Sequence, residues 1–420
     1  MASVSPERRR ARIWSFLDRG IFPYLPYPHV MWLAPLDAVL RLLCRPFSPI
    51  PIVYWPRLAL LLAISALVTV GSLPERGALA VWLWLWPPRM NKREAPIFVL
   101  GYFRSGTTFL QTLLAADPTL RSPRWAEVLA PQTFVVGWMI FRYLLIPFLP
   151  LTGLGTVKQL APNSPAEDDF ALNNWGLVSI MAGRAVLPRR QAFYDRFHDL
   201  DSLSPRERAR WRAYQRAFIG KLMLIARGRR LVLKSPSHTA RVRFLLELFP
   251  GAKFIHISRS PGLVFQSNLL LVHTLQRAFA LQYPVAGDEQ EEIIAREYLA
   301  TEQRYLTDKA SIPTGDLAEV RLQDLSVDPI GELKRIYREL GLSFSVVYER
   351  RLPAILAAQG KRSANKHPEL SDAQKARVAR LEPLVVAFGH DRPTVAMAAS
   401  RGPESSSNSW PATNREPVQH

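Results

Sequence analysis

Five consecutive residues, Arg104, Ser105, Gly106, Thr107 and Thr108, place a cation, three hydroxyls and a glycine in one short stretch, GYFRSGTT. Gly101 and Gly106 stand in the pattern G-x-x-x-x-G, the spacing of a loop whose backbone N–H groups cradle phosphate, with Thr108 at its hydroxyl position. Thr107 occupies the place where a triphosphate-binding loop carries lysine, and the cation lies inside the loop instead, as Arg104. Loop N–H groups and the positive end of a following helix converge on an anion, so phosphate or sulfate is the chemistry this stretch suits. Without lysine at position 107, transfer of a phosphoryl group loses a major charge clamp.

The flanking residues predict how the loop is held. Pro96 to Leu100 is a short apolar run with β-branched Ile97 and Val99, which reads as a buried strand. From Thr107, the residues Phe109, Leu110, Leu113 and Leu114 recur at helical spacing, and Asp117-Pro118 supplies a stop. A second block, Leu231 to Leu271, predicts strand Leu231 to Leu233, helix Ala240 to Leu248, a Pro250-Gly251 turn, strand Lys253 to Ser258 and a helix from about Gly262. Such a strand–helix–strand unit is parallel, and ligands bind at the carboxyl ends of its strands. Lys234 and Arg259 sit at those ends, so with Arg104 three cations are expected on one polyanion. Ser267, eight residues beyond Arg259, is placed to add a hydroxyl to the same phosphate.

Two acidic stretches stand out in a basic chain. Glu127 lies near Trp125 and Val128, and a carboxylate among apolar groups is suited to take a proton near neutrality. In NSPAEDDFAL the neighbours Glu167, Asp168 and Asp169 suggest a metal, but Ser164 as N-cap, Pro165 at N1 and Glu167 at N3 predict a capping box.

The string RSGTT, followed by a strand ending Lys-Ser-Pro and then by FPGAKFIHISRSP with Ser267 beyond it, resembles the sulfotransferases that use 3′-phosphoadenosine 5′-phosphosulfate (PAPS). The similarity is to the branch holding tyrosylprotein sulfotransferases and many bacterial enzymes, and it covers about Pro96 to His390. It implies that Arg104, Ser105, Gly106, Thr107 and Thr108 hold the 5′-phosphosulfate and that Arg259 and Ser267 bind the 3′-phosphate. It further implies that Lys234 assists the leaving phosphate and that Glu127 is the base, with no metal required. The family's Arg-Asp-Pro reads Arg259-Ser260-Pro261 here, so the acid is missing. The stretch Val320 to Leu342 resembles a family strand and helix, with Leu333, Ile336, Tyr337 and Leu340 as a buried stripe. Lys361, Arg362, Lys366 and His367 form a basic loop, read either as one that can close over the nucleotide, as in relatives, or as a solvated basic loop, and a helix of about Ser371 to Phe388 ends the domain.

Composition bounds the rest. The 420 residues carry a net charge of +19, so anionic partners are expected. No basic block interleaved with aromatics resembles a nucleic-acid module, and the single cysteine, Cys44, excludes an internal disulfide or a cysteine-rich metal site. Arg8, Arg9, Arg10 and Arg12 open the chain without a clean signal peptide behind them. Leu58 to Leu73 carries no charge, yet sixteen helical residues reach only about 24 Å of a ~30 Å hydrocarbon core. A second apolar run spans Gly77 to Trp86, where Trp82, Trp84 and Trp86 with Arg57, Arg76, Arg89, Lys92 and Arg93 read as interfacial anchors. Phe134 to Leu154 reads as a greasy lid or substrate wall.

The expected fold is α/β: a P-loop-like, three-layer arrangement with a central, mainly parallel sheet between helices, plus an N-terminal hydrophobic helical segment. Expected boundaries are residues 1–94 for a membrane-associated segment, 95–395 for the sulfotransferase domain and 396–420 for a disordered tail. The expected reaction is sulfuryl transfer from PAPS to an acceptor hydroxyl of a lipid, sterol or glycolipid. It would run at a membrane surface, with the catalytic domain on the cytoplasmic side. The alternatives are a P-loop-like kinase, an inactive membrane-associated nucleotide-binding protein and a nucleic-acid binder.

Overall fold

A computed structural model describes residues 30–44, 49–85, 94–135, 163–359 and 369–390. Its centre is strand β1, Ile97–Leu100, buried on both sides: Ile97 and Val99 enter one apolar cluster, Phe98 and Leu100 the other. A strand covered on two faces belongs inside a parallel sheet. The sheet is completed by β2 (Leu120–Arg121), β3 (Arg230–Lys234), β4 (Lys253–Ser258) and β5 (Leu317–Arg321), in the order β2-β3-β1-β4-β5. Every neighbouring pair is parallel.

One face is covered by the helices Thr107–Leu114, Pro329–Glu339 and Val346–Gln359, which bring Leu110, Leu113, Ile336 and Leu352 against Val99, Val232 and Ile257. The other is covered by Pro205–Ala226, Val242–Leu248, Pro261–Phe279 and Gly287–Asp308, which supply Phe218, Leu245, Phe265 and Tyr298. The three layers match the expected α/β architecture. Because the chain runs from β1 outward to β2 on one side and reaches β4 on the other, the strand order reverses beside β1. The crevice at the carboxyl ends of β1 and β4 is therefore the natural ligand position.

The N-terminal helices are part of this packing. Ala38, Val39 and Leu42 of Leu36–Cys44, and Leu61 of Trp55–Leu85, join the same cluster as Phe98. The apolar runs expected at Leu58 to Leu73 and from Gly77 lie, as far as Leu85, on one helix that carries Pro74 in its interior, on an exposed side. Among the described residues it is the one helix long and apolar enough to cross a membrane.

Two other expectations are corrected. Ser164 is not an N-cap: Trp125 N–H donates to its carbonyl and Ala166 N–H to that of Pro123, so this stretch runs extended beside Arg124 and helix starts only at Asp169. The final helix breaks into Asp372–Ala379 and Glu382–Ala387, because Pro383 has no N–H to continue the first. The N-terminal arginines, Trp86, Arg89, Lys92, Arg93, residues 136–154 of the wall, the basic loop at 361–367 and the tail lie outside the described residues.

Candidate active site

The glycine loop leaves β1 at Gly101 and enters the next helix at Gly106, both with left-handed backbone (φ 132° and 108°). A Cβ at Gly101 would sit 2.4 Å from the Ile257 carbonyl oxygen and one at Gly106 2.7 Å from Leu322 Cδ1, so the loop admits no side chain at either end. Arg104 is also left-handed, with φ 70°. Surrounding side chains stake the loop. Gly101 N–H donates to Thr239 Oγ1 (2.7 Å), Tyr102 N–H to Glu302 Oε1 (3.1 Å), and Asn268 Nδ2 donates to the Phe103 carbonyl (2.8 Å). Ser105 Oγ donates to the Tyr102 carbonyl at 2.7 Å and closes the turn. The N–H groups of Thr107 and Thr108 fall in the first helical turn, where no intrahelical acceptor exists, and the N-cap Gly106 has no side chain to satisfy them.

All three expected cations touch this loop. Arg104 projects from it and donates through Nε to Ser267 Oγ at 2.8 Å. Arg259, just past the end of β4, donates through Nη1 to the Arg104 carbonyl at 3.3 Å. Lys234, the last residue of β3, reaches Thr108 Oγ1 at 3.3 Å. Burial holds the Arg104 and Arg259 guanidinium groups below their ordinary range, and the charge of Arg104 adds to the effect on Arg259. An anion between them would relieve both costs, which fits the phosphate groups of a nucleotide.

The carboxylates are distributed differently from the sequence reading. Glu127 is buried with Oε1 2.5 Å from Arg121 Nη2, and its Oε2 accepts the Arg124 N–H at 3.0 Å, at the start of the Trp125–Leu129 helix. Glu167 instead meets Lys234: Oε1 lies 2.6 Å from Nζ, with the lysine side chain 2 % and the glutamate 18 % exposed. Its neighbours face inward. Asp168 pairs with His238 at 2.8 Å, which holds its carboxyl below the usual range despite the opposing effect of burial. Asp169 pairs with Arg241 at 2.8 Å and accepts from Ser179. Each acid in this run thus has a separate partner.

Sequence reasoning missed Glu167 as a site residue because Ser-x-x-Glu spacing imitates a cap; the available signal was three adjacent acids in a strongly basic chain. It also missed Thr239, Asn268 and Glu302 as loop supports, and Arg184 beneath them. Arg184 pairs with Glu297 at 2.7 Å, donates to Asn268 Oδ1 at 3.2 Å and lies 4.0 Å from the Phe103 ring centroid. Beside it the Asp195 carboxyl is pushed up to about 8, by burial first and by the charge of Glu297 second, against the pull of Arg184.

The Sulfotransferase family profile matches residues 96–137 and 160–346, which include the loop and all three cations. This chain is 31 % identical over 302 residues to the omega-hydroxy-beta-dihydromenaquinone-9 sulfotransferase Stf3 of Mycobacterium bovis, across 72 % of this chain and 76 % of that one.

The chain belongs to the sulfotransferase family.

Among solved structures, sulfotransferase STF9 from Mycobacterium avium superposes with a TM-score of 0.60 at 18 % identity, covering 86 % of this chain and 97 % of that one. Sulfotransferase STF1 from Mycobacterium tuberculosis gives 0.59 at 19 % identity, covering 90 % and 99 %. At such identity the likeness is one of fold, and it matches the parallel sheet described above. The sulfotransferase is thus an enzyme, and its family implies a sulfuryl donor.

Proposed function

We propose that this sulfotransferase moves a sulfuryl group from PAPS to the hydroxyl of a lipophilic acceptor at a membrane surface, with the catalytic domain on the cytoplasmic side. The observation that carries the donor assignment is the joining of Arg104, Ser267 and Arg259 at the carboxyl ends of β1 and β4. Two guanidinium groups and a hydroxyl at that point suit a nucleotide with a phosphate on its ribose as well as at its 5′ end. The loop from Arg104 to Thr108 would hold the 5′-phosphosulfate, and Arg259 with Ser267 the 3′-phosphate. A lipophilic acceptor is supported by the menaquinone derivative in the name of the Mycobacterium bovis relative.

Glu167 fits the role of base better than Glu127. It is the partly exposed carboxylate bonded to Lys234, whereas both oxygens of Glu127 are engaged by Arg121 and the Arg124 N–H. Glu167 takes the acceptor's hydroxyl proton, and the acceptor oxygen forms the new bond to sulfur. The bond from sulfur to the bridging phosphate oxygen breaks, and Lys234, Arg104 and the first-turn N–H groups stabilise the charge that collects on the departing phosphate. Before reaction the Lys234–Glu167 contact of 2.6 Å holds both side chains in place.

The test is a binding titration with 3′-phosphoadenosine 5′-phosphate and with ATP, in wild type and Arg259→Ala, followed by incubation of a lipid extract with sulfur-labelled PAPS. Preference for the 3′-phosphate that Arg259→Ala abolishes, together with label in extracted lipid, is the expected result. ATP bound as tightly as the 3′-phosphorylated nucleotide overturns the donor assignment, and label absent from every lipid fraction overturns the acceptor class.

A further inference from the structure

The Trp55–Leu85 helix has its polarity reversed. Its buried positions Arg57, Leu61, Ser65, Val68, Ser72 and Glu75 recur every three or four residues and form one stripe, in which apolar residues are the minority. The charged members are bonded to the domain: Arg57 Nη1 donates to the Ala280 carbonyl at 2.8 Å, and Glu75 pairs with Lys221 at 3.3 Å and accepts the Val135 N–H at 3.0 Å. The outward stripe carries Trp55, Leu67, Val70, Leu73 and Val81, with Leu67 73 % and Val70 68 % exposed. Among the described residues from Ile52 to Leu85, no exposed one has a charged, hydroxyl or amide side chain. An apolar stripe of this length, unbroken by polar groups, is costly to leave in water.

We propose that this outward face is an in-plane docking surface for an anionic lipid bilayer, set into the interfacial layer, and that the helix does not cross the membrane. The proposal rests on the lipophilic-acceptor reading above and assigns the surface that would bring enzyme and acceptor together. Eighteen residues separate Arg57 from Glu75, about 27 Å of helix against a hydrocarbon core of ~30 Å. Since both are bonded to the folded domain, a crossing helix would drag Lys221 and the backbone at Ala280 into hydrocarbon. Lying flat leaves every one of those bonds intact.

Charge selects the occupant. Lys221 and Ile225 are four residues apart on the Pro205–Ala226 helix and share a face. Lys221 holds Glu75, and Ile225 lines a cavity of about 330 Å³ walled by Arg121, Arg124, Arg227 and Arg229. Arg121 is buried there with its Nη2 on Glu127, and among the described residues its Nε and Nη1 have no hydrogen-bond acceptor. With Arg121 already held by Glu127, the guanidinium groups of Arg124, Arg227 and Arg229 around Ile225, itself one helical turn from Lys221, suit lipid phosphate.

The test uses full-length protein diluted from detergent into vesicles of phosphatidylglycerol or of phosphatidylcholine, with the pelleted fraction titrated. Wild type should prefer phosphatidylglycerol, and Leu67→Glu with Val70→Glu should abolish pelleting with either lipid. Arg227→Glu with Arg229→Glu should weaken binding to phosphatidylglycerol by about tenfold or more and leave the phosphatidylcholine value unchanged. Pelleting that survives the Leu67 and Val70 changes overturns the proposal, as does a dimer that ignores vesicles and dissociates on those changes. A probe on Val70→Cys in a Cys44→Ser background should be quenched by shallow lipid nitroxides more than by deep ones; equal or deeper quenching overturns the in-plane orientation. Binding of 3′-phosphoadenosine 5′-phosphate is read in parallel. Its absence in wild type with vesicle binding retained counts against the enzymatic reading alone.

Discussion

Arg104 and Ser267 are 163 residues apart in the chain, and the Arg104 Nε–H···Oγ hydrogen bond of 2.8 Å ties the first loop to the helix that follows β4. The two halves of the proposed nucleotide site are thus joined before any ligand enters. Arg104→Ala and Ser267→Ala should each weaken binding of 3′-phosphoadenosine 5′-phosphate by about ten- to a hundredfold, the value of one charged hydrogen bond. Calorimetric titration of the double variant should show less than the sum of the two losses, because one bond is counted in both. Additive losses would mean that the residues act independently.

Glu167→Gln should slow turnover by about 10²- to 10⁴-fold with nucleotide affinity little changed, as removal of a general base does. Glu127→Gln should register in urea unfolding, by about 3 to 5 kcal/mol, because it leaves Arg121 buried without its counter-charge. Single-turnover rates that fall for Glu127→Gln and not for Glu167→Gln would return the base to Glu127.

Gly101→Ala should destabilise the protein more than Gly106→Ala. The first sets a Cβ against the backbone carbonyl of Ile257, the second against the terminal methyls of the Leu322 side chain, and both keep an unfavourable left-handed backbone. Thermal unfolding of the two variants checks the order.

Asp195 predicts a slope of stability with pH. Its carboxyl is pushed up to about 8 in the folded chain, so the folded state holds this proton more tightly than the unfolded one. The stability it contributes is fully present below about pH 4 and is lost as pH rises from there through 8. Asp195→Asn, which cannot ionise, should flatten that part of a urea-unfolding profile measured from pH 5 to 8.

The parts that were legible in the sequence depend on neighbours along the chain. β1 and β4 are short apolar runs bounded by Pro, Gly or a turn, and the Pro329–Glu339 helix carries its buried stripe Leu333, Ile336 and Tyr337 at regular spacing. The burial of the two strands on both faces, and of the helix on one, follows from local pattern alone. Glu167 was not legible, because its partner Lys234 is 67 residues away and a local cap explains the same letters. The reversed polarity of the Trp55–Leu85 helix was likewise hidden: a hydropathy pattern shows that a helix is apolar, not which stripe a neighbouring domain will occupy. Pro383 was the opposite case, a local breaker lost inside an otherwise periodic run.

Glu167, Asp168 and Asp169 are fastened from three directions, to Lys234, His238 and Arg241. Chimeras made with a relative must respect that circuit. Exchanging residues 163–176 alone imports carboxylates stripped of their counterparts, whereas an exchange that also takes 234–241 transfers the set whole. Crossovers placed between those two stretches will yield insoluble recombinants far more often than crossovers placed outside both.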